Sequence, residues 1–236
     1  HPNVVELITI GDELLLGFTV DTNSAFLARR LAERGIAVAR RTAVGDDLHA
    51  IAEAVREALE RTGAVITTGG LGPTSDDLTR DAVSQLFGRA LQVDEGHLSW
   101  MRERWLARFG RDMPESNRRQ AMIPAGARKL ENRHGSAPGV FIEDGRGFVV
   151  MLPGVPRELR GMTDDILLPL AKRYGAAVVV MAFDPHPLTV IRPSARAGAA
   201  DRGASVMARQ PSRCRWLRES RCGPRRRCRG RTAPRG

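Results

Sequence analysis

Cysteine is absent from the first 213 residues of this 236-residue chain. The three present, Cys214, Cys222 and Cys228, lie near its end without a C-x-x-C pair. That spacing supports neither a disulfide framework nor a zinc site, and a cysteine-free body fits a reducing compartment. No apolar run approaches the ~18 residues of a membrane span, so no membrane partner is expected. His1 to Val5 lack the charged and apolar regions of a secretory signal, and the expected compartment is the cytoplasm. Lysine is nearly missing too: Lys129 and Lys172 stand against 35 arginines.

The net charge of +10 is concentrated in one place. Residues 192–236 carry 14 arginines against Asp201 and Glu219, which leaves 23 basic and 25 acidic groups in residues 1–191. A body so near neutrality has no overall electrostatic footprint for nucleic acid. From Arg192 onward, Val206 and Leu217 are the only Leu, Ile, Val or Phe residues. So little apolar surface does not offset the entropy of ordering the segment, and disorder is expected there.

The body alternates strand and helix patterns. Val4–Ile10 is a β-branched run ending at Gly11, and Asp21-Thr22-Asn23-Ser24 offers several N-caps before an apolar stripe at Phe26, Leu27 and Leu31. Ile36–Val44 reads as a second strand. Asp46 is a candidate cap for a helix with Leu48, Ile51, Val55 and Leu59 on one face, which Gly63 stops. Ala64–Thr68 is a third strand. This βαβαβ order predicts an α/β protein with a mostly parallel sheet covered on both faces. Beyond it, a helix is expected over Glu95 to Phe109, with Leu98, Met101, Trp105 and Phe109 as core packing. Gly139–Glu143 and Phe148–Leu152 flank Asp144-Gly145-Arg146-Gly147 as a hairpin. A helix follows from about Arg157 to Tyr174, which Pro169 should kink or shorten.

The strongest local chemistry lies in Thr67-Thr-Gly-Gly-Leu-Gly-Pro-Thr-Ser-Asp-Asp-Leu-Thr79. Glycines after a buried strand allow close approach of a ligand and turn backbone N–H groups toward an anion, and a helix start follows. Gly69, Gly70, Gly72 and Thr79 are therefore candidate phosphate contacts. The run matches neither a dinucleotide fingerprint nor a P-loop. It also fits a tight strand-to-helix turn capped by Asp77 or Thr79. Acids recur where strands end: Asp12 and Glu13, Asp46 and Asp47, Asp76 and Asp77. The carboxyl ends of parallel strands share one edge, where ligands bind. Carboxylates meeting there beside a phosphate require a divalent cation, magnesium or manganese, between them. Taken singly, each acid also fits a helix cap.

Seven stretches, in order, then resemble the N-terminal domain of the CinA family (competence/damage-inducible protein). They are Ile10-Gly-Asp-Glu-Leu-Leu-Leu-Gly17, Asp21-Thr-Asn-Ser24, Val44-Gly-Asp-Asp47, the glycine loop, Asn117-Arg-Arg-Gln-Ala121, Pro124-Ala-Gly-Ala127 with Asn132-Arg-His-Gly-Ser-Ala-Pro-Gly139, and Pro153-Gly-Val-Pro-Arg-Glu158. That domain belongs to the wider molybdopterin-binding group with MoaB and MogA. The resemblance implies a three-layer α/β/α fold of the MogA type over residues 1–175. It implies metal-dependent ADP-ribose pyrophosphatase activity on a small-molecule nucleotide, and homo-oligomers. Asp46 and Asp77 match the metal-side aspartates of the adenylyltransferase relatives. Leu71 stands where those relatives have Thr, which argues against molybdopterin itself as the ligand. In the mechanism implied, Asp46 and Asp77 hold the cation while Asp76 or Glu13 orients water, with Asp76, Asp77 and Glu13 as the catalytic set. Asp12, Asn23, Ser24, Asn117, Gln120 and Asn132 are candidate nucleotide contacts. The alternative is a binding module for a pterin or nucleotide without turnover.

After Tyr174 the family continues into a KH-like domain and a nicotinamide mononucleotide deamidase domain. Residues 176–191 read as a vestige of the former, and the likeness stops near Pro193. The arginine-rich stretch 192–236 has the composition of an out-of-frame reading of a G- and C-rich gene, and deamidase activity is not expected. A basic arm for nucleic acid is the rival explanation, disfavoured because nothing in the stretch is patterned.

Overall fold

The computed structural model describes residues 3–173, with side chains placed up to residue 166 and at 169. The expected vestige over 176–191 and the arginine-rich stretch 192–236 lie outside the described residues.

Strand β1 (Val4–Ile10) opens the chain and is followed by the short helix α1 (Asp12–Leu15) and by α2 (Thr22–Ala32). Next come β2 (Ala37–Val44), α3 (Leu48–Thr62), β3 (Ala64–Thr68) and α4 (Thr79–Leu86). Helix α5 (Glu95–Phe109) lies between β4 (Leu91–Val93) and a 3-10 helix over Glu115–Ala121 that leads into β5 (Met122–Pro124). Then follow β6 (Arg128–Leu130), the hairpin of β7 (Gly139–Asp144) and β8 (Gly147–Leu152), and α6 (Pro156–Arg173).

One sheet runs in the order β2-β1-β3-β8-β7-β6, and β4 pairs with β5 separately. Strands β2, β1, β3 and β8 are mutually parallel, while β7 is antiparallel to both β8 and β6. Period-two alternation along β1 divides the core between the two faces. Ile8 and Ile10 pack with Ile51, Val55 and Leu59 of α3 and with Ala82 and Val83 of α4. Val5 and Leu7 pack on the other side with Leu27 and Leu31 of α2 and with Leu159 and Met162 of α6. The result is the expected three-layer α/β/α arrangement.

Several local expectations need correction. The cap of α3 is Asp47, whose side chain accepts from the Ala50 N–H at 2.8 Å, and not Asp46. Asp21 caps α2 through the Ser24 N–H at 2.9 Å. On α5, Leu98 and Met101 are buried, but Phe109 is 49% exposed and lies against Trp105 instead of the core. Helix α6 continues through Pro169 to Arg173 and is not shortened by it.

Candidate functional site

Between β1 and β3 the chain changes direction. From β1 it passes through α2, on one face of the sheet, to β2; from β3 it enters α4 on the opposite face. The loops therefore part at the carboxyl ends of these strands, the place where open parallel sheets bind ligands. A cleft of about 630 Å³ lies there, walled by Ile10 and Gly11 after β1, Thr68 to Pro73 after β3, and Pro153 to Pro156 after β8. Its volume suits a nucleotide-sized molecule. The lining includes Glu13, Asp21, Asp46, Asp76, Asp77 and Glu158 and, among the described residues, no Lys, Arg or His.

The glycine loop is built as a close approach of backbones. Gly69 has φ +100°, and a Cβ there would stand 2.2 Å from the Ile10 carbonyl. Only glycine fits without displacing main chain. Thr79 is fully buried; its hydroxyl donates to the Gly69 carbonyl at 2.8 Å and its N–H to the Gly70 carbonyl at 3.2 Å. Thr79, expected as a phosphate contact, thus shapes the loop and is not among the residues that line the cleft. Two of the four expected N–H donors are also taken. Gly69 donates to the Leu152 carbonyl at 3.0 Å, and Gly72 to an Asp77 oxygen at 2.7 Å. Asp77 accepts from the Thr74 N–H at 2.8 Å as well, and from the Thr74 hydroxyl. A carboxylate of the protein therefore occupies N–H groups that an incoming anion would use.

Opposite the loop, Asp12 and Asp46 exchange bonds: the Asp12 N–H donates to Asp46 and the Asp46 N–H to Asp12, each at 3.1 Å. Gly45 permits this, since a Cβ there would stand 2.4 Å from an Asp12 oxygen. Burial holds the Asp46 carboxyl above its ordinary value; the Asp12 N–H opposes this, while the charges of Asp12, Glu13 and Asp76 reinforce it. Asp76 is fully exposed to solvent influence and lies below its ordinary value, because the Thr74 side chain and its own backbone N–H favour the charged form. Asp46 and Asp77, expected to share a cation, thus have different surroundings. Among the described residues no three His, Cys, Asp or Glu side chains converge to hold a metal by themselves. An ion here needs ligand oxygens from a bound phosphate to complete its shell.

The remaining candidates divide. Asn23 lines the cleft and donates to the Gly154 carbonyl at 2.7 Å; Gln120 lines it and accepts from the Ser136 hydroxyl at 3.0 Å. Asp12 supports Asp46 without lining the cleft. Ser24 is buried, bonded to Asp21 and to Arg41, and does not line it. Asn117 is also outside, its N–H bonded to the Pro114 carbonyl. Asn132 is 8% exposed, with its amide spent on Ala137, Glu158 and the His134 N–H. It fixes its own loop and positions Glu158 at the cleft wall. Ser24, Asn117 and Asn132 are thus not among the residues that the fold brings to the cleft lining.

Arg80 escaped the sequence reading. It is 2% exposed behind the glycine loop, and burial pulls its pKa down to about 10 against the opposing charges of Asp77 and Asp81. The available signal was a cation in the first turn of a helix, where the dipole disfavours it.

The family model described as "Probable molybdopterin binding domain" matches residues 6–173. A CinA-like protein of Gemmatimonas aurantiaca is 60% identical over 169 residues, which cover 71% of this chain and 40% of that protein. A second, from Anaeromyxobacter sp., is 46% identical over 175 residues, covering 74% and 42%. The crystal structure of the protein CinA with unknown function from Thermoplasma acidophilum is similar at a TM-score of 0.66 and 36% identity, covering 72% of this chain and 98% of that one. The chain thus spans about 40% of the length of the curated relatives it matches.

Proposed function

The chain belongs to the probable molybdopterin-binding domain family, in its CinA-like branch, and from that premise we propose that its cleft hydrolyses the pyrophosphate bond of a nucleoside diphosphate sugar, ADP-ribose first among them, with a divalent cation. The observation that carries this reading is the lining: among the described residues, six carboxylates and no basic side chain stand around a nucleotide-sized cleft at the sheet's switch point. A pyrophosphate entering such a cleft meets repulsion unless a cation is interposed. The donor set suits a hard ion, since it consists of carboxylate oxygens with Asp46 crowded by its neighbours. Magnesium or manganese, when bound, neutralises charge on the two phosphates and polarises the bond to be cut.

Asp46 is the residue that would hold the ion, because its carboxylate is the one destabilised by its surroundings. Asp77 accepts the Gly72 and Thr74 N–H groups on different oxygens, and the oxygen bonded to Gly72 keeps a lone pair that could reach an ion. The N–H groups of Gly70 and Leu71 have no partner that competes with the ligand among the described residues. Of the two candidate bases, Asp76 is weakened by its lowered pKa. Glu13, which also lines the cleft on α1, is the base this leaves to orient water. Asn23 and Gln120 offer amide groups to ribose or base.

The test is incubation of the chain with ADP-ribose and manganese, followed by separation of products. AMP and ribose 5-phosphate should appear, and Asp46→Ala should reduce their rate by about 10²-fold or more. A wild-type chain that binds nucleotide but never releases AMP would sink the hydrolase reading and leave a binding module.

A further inference from the structure

Arg80 is buried, and the charges of Asp77 and Asp81 act on it without a direct contact among the described residues. Its Nη2 donates to the Leu71 carbonyl at 3.0 Å and to the Gly72 carbonyl at 2.9 Å, and it makes no ion pair with a described carboxylate. Its Nη1 is buried with no hydrogen-bond partner among the described residues. Leaving such a donor unmet costs stability, so packing alone gives no reason for an arginine there.

The geometry around it supplies one. A trans peptide points its C=O and N–H in opposite directions. With the Leu71 carbonyl held by Arg80, the Gly72 N–H is turned the other way, where it meets Asp77. The second bond fixes the next peptide, ahead of Pro73. We infer that Arg80 is a positioning residue that makes the loop an anion seat: it sets the orientation of two peptides and supplies, from the protein interior, the positive charge that the cleft lining lacks. The ligand class is a phosphate ester, as in the terminal phosphate of a nucleotide. A buried charge is screened far less than a surface one, so it acts across the loop without touching the ligand. The inference rests on the loop seating a phosphate, one part of the function proposed above, and is independent of whether any bond is cut.

The test compares AMP with adenosine by calorimetry, in saturating magnesium, for the full chain and for Arg80→Gln and Arg80→Lys. Glutamine drops the charge and, being shorter, does not reach both carbonyls; lysine keeps the charge on a longer stem. Wild type should prefer AMP over adenosine. Arg80→Gln should lower that preference about tenfold, chiefly through AMP, and Arg80→Lys should hold it within about threefold. Equal weakening of both ligands in Arg80→Gln, or an unchanged preference, would assign Arg80 a purely structural role and overturn the inference. Should Arg80→Gln not fold by its melting curve, Arg80→Lys decides alone, and loss of preference there overturns it. A wild type that binds AMP no better than adenosine refutes the loop as a phosphate seat, whatever the hydrolysis assay gives.

Discussion

The two sides of the cleft solve opposite electrostatic problems. On the β3–α4 side, Asp77 is held by the Gly72 and Thr74 N–H groups, with the Arg80 cation buried behind them. On the β1–α1 side, Asp12 and Asp46 offer each other one backbone N–H apiece, and the charges acting on Asp46 are further carboxylates. The first side has a surplus of donors for an anion; the second has a surplus of acceptors for a cation. A phosphate with a divalent ion matches the cleft in both halves, whereas either one alone matches only half. The sides also differ in rigidity of construction. The glycine loop is packed against backbone, while the opposite rim leaves Leu15, Leu16, Phe18 and Val20 between 56% and 82% exposed.

That difference in construction gives the largest expected effect. Gly69→Ala would drive a Cβ to 2.2 Å from the Ile10 carbonyl at φ +100°. Left-handed strain and overpacking each cost about 1–3 kcal/mol, so the melting midpoint should fall steeply. Gly17→Ala, at φ +75° with nothing within 4 Å, carries the strain without the clash and should cost about 1 kcal/mol. Equal losses in the two variants would show that the loop and the rim are built alike, against the contrast drawn above.

The sheet was legible because its strands are rich in β-branched residues and closed by glycine, as in Val4–Ile10 before Gly11 and Ala64–Thr68 before Gly69. Helix α3 was legible from the spacing of Ile51, Val55 and Leu59. Short elements were not: β4, β5 and β6 are three residues each, too few for a period to show. Residue type and strand end sufficed to place the glycine loop, Asp46 and Glu13 at one cleft. Thr79, Ser24 and Asn132 lie outside the cleft lining for a common reason. Each is a polar residue in a motif, and the motif's geometry spends its side chain on backbone partners that only the folded chain brings near. Arg80 was missed by the converse: its partners are carbonyls, which no side-chain pattern reveals.

Removing one acid from each side sharpens the comparison at a smaller scale. Without divalent ions, Asp77→Ala strips the Gly72 and Thr74 N–H groups of their acceptor and should destabilise the chain by about 1–3 kcal/mol. Asp46→Asn, by contrast, relieves repulsion and keeps an acceptor for the Asp12 N–H. Its effect should be stabilising and within about 0.5 kcal/mol, since much of the group faces solvent. Opposite signs in a pair of melting curves are the expected outcome, and equal signs would break the distinction between donor-rich and acceptor-rich halves.

The smallest effect carries its sign from proton linkage. The folded chain holds the Asp46 carboxyl above its ordinary value, so it binds that proton more tightly than the unfolded chain does. Below the ordinary value near ~4, both states are protonated and the contribution is fully present. As pH rises from there through the raised value, the folded state gives up a proton it held favourably, and stability falls. Asp46→Asn cannot follow that loss. In a chelator, the melting difference between variant and wild type should therefore widen in the variant's favour across this window and then level off. Manganese at neutral pH should reverse the order, because the ion takes the place the proton held on Asp46 and has no such carboxylate in the variant. A difference that stays flat with pH, and that manganese leaves unchanged, would mean that Asp46 carries no excess negative charge for a cation to answer.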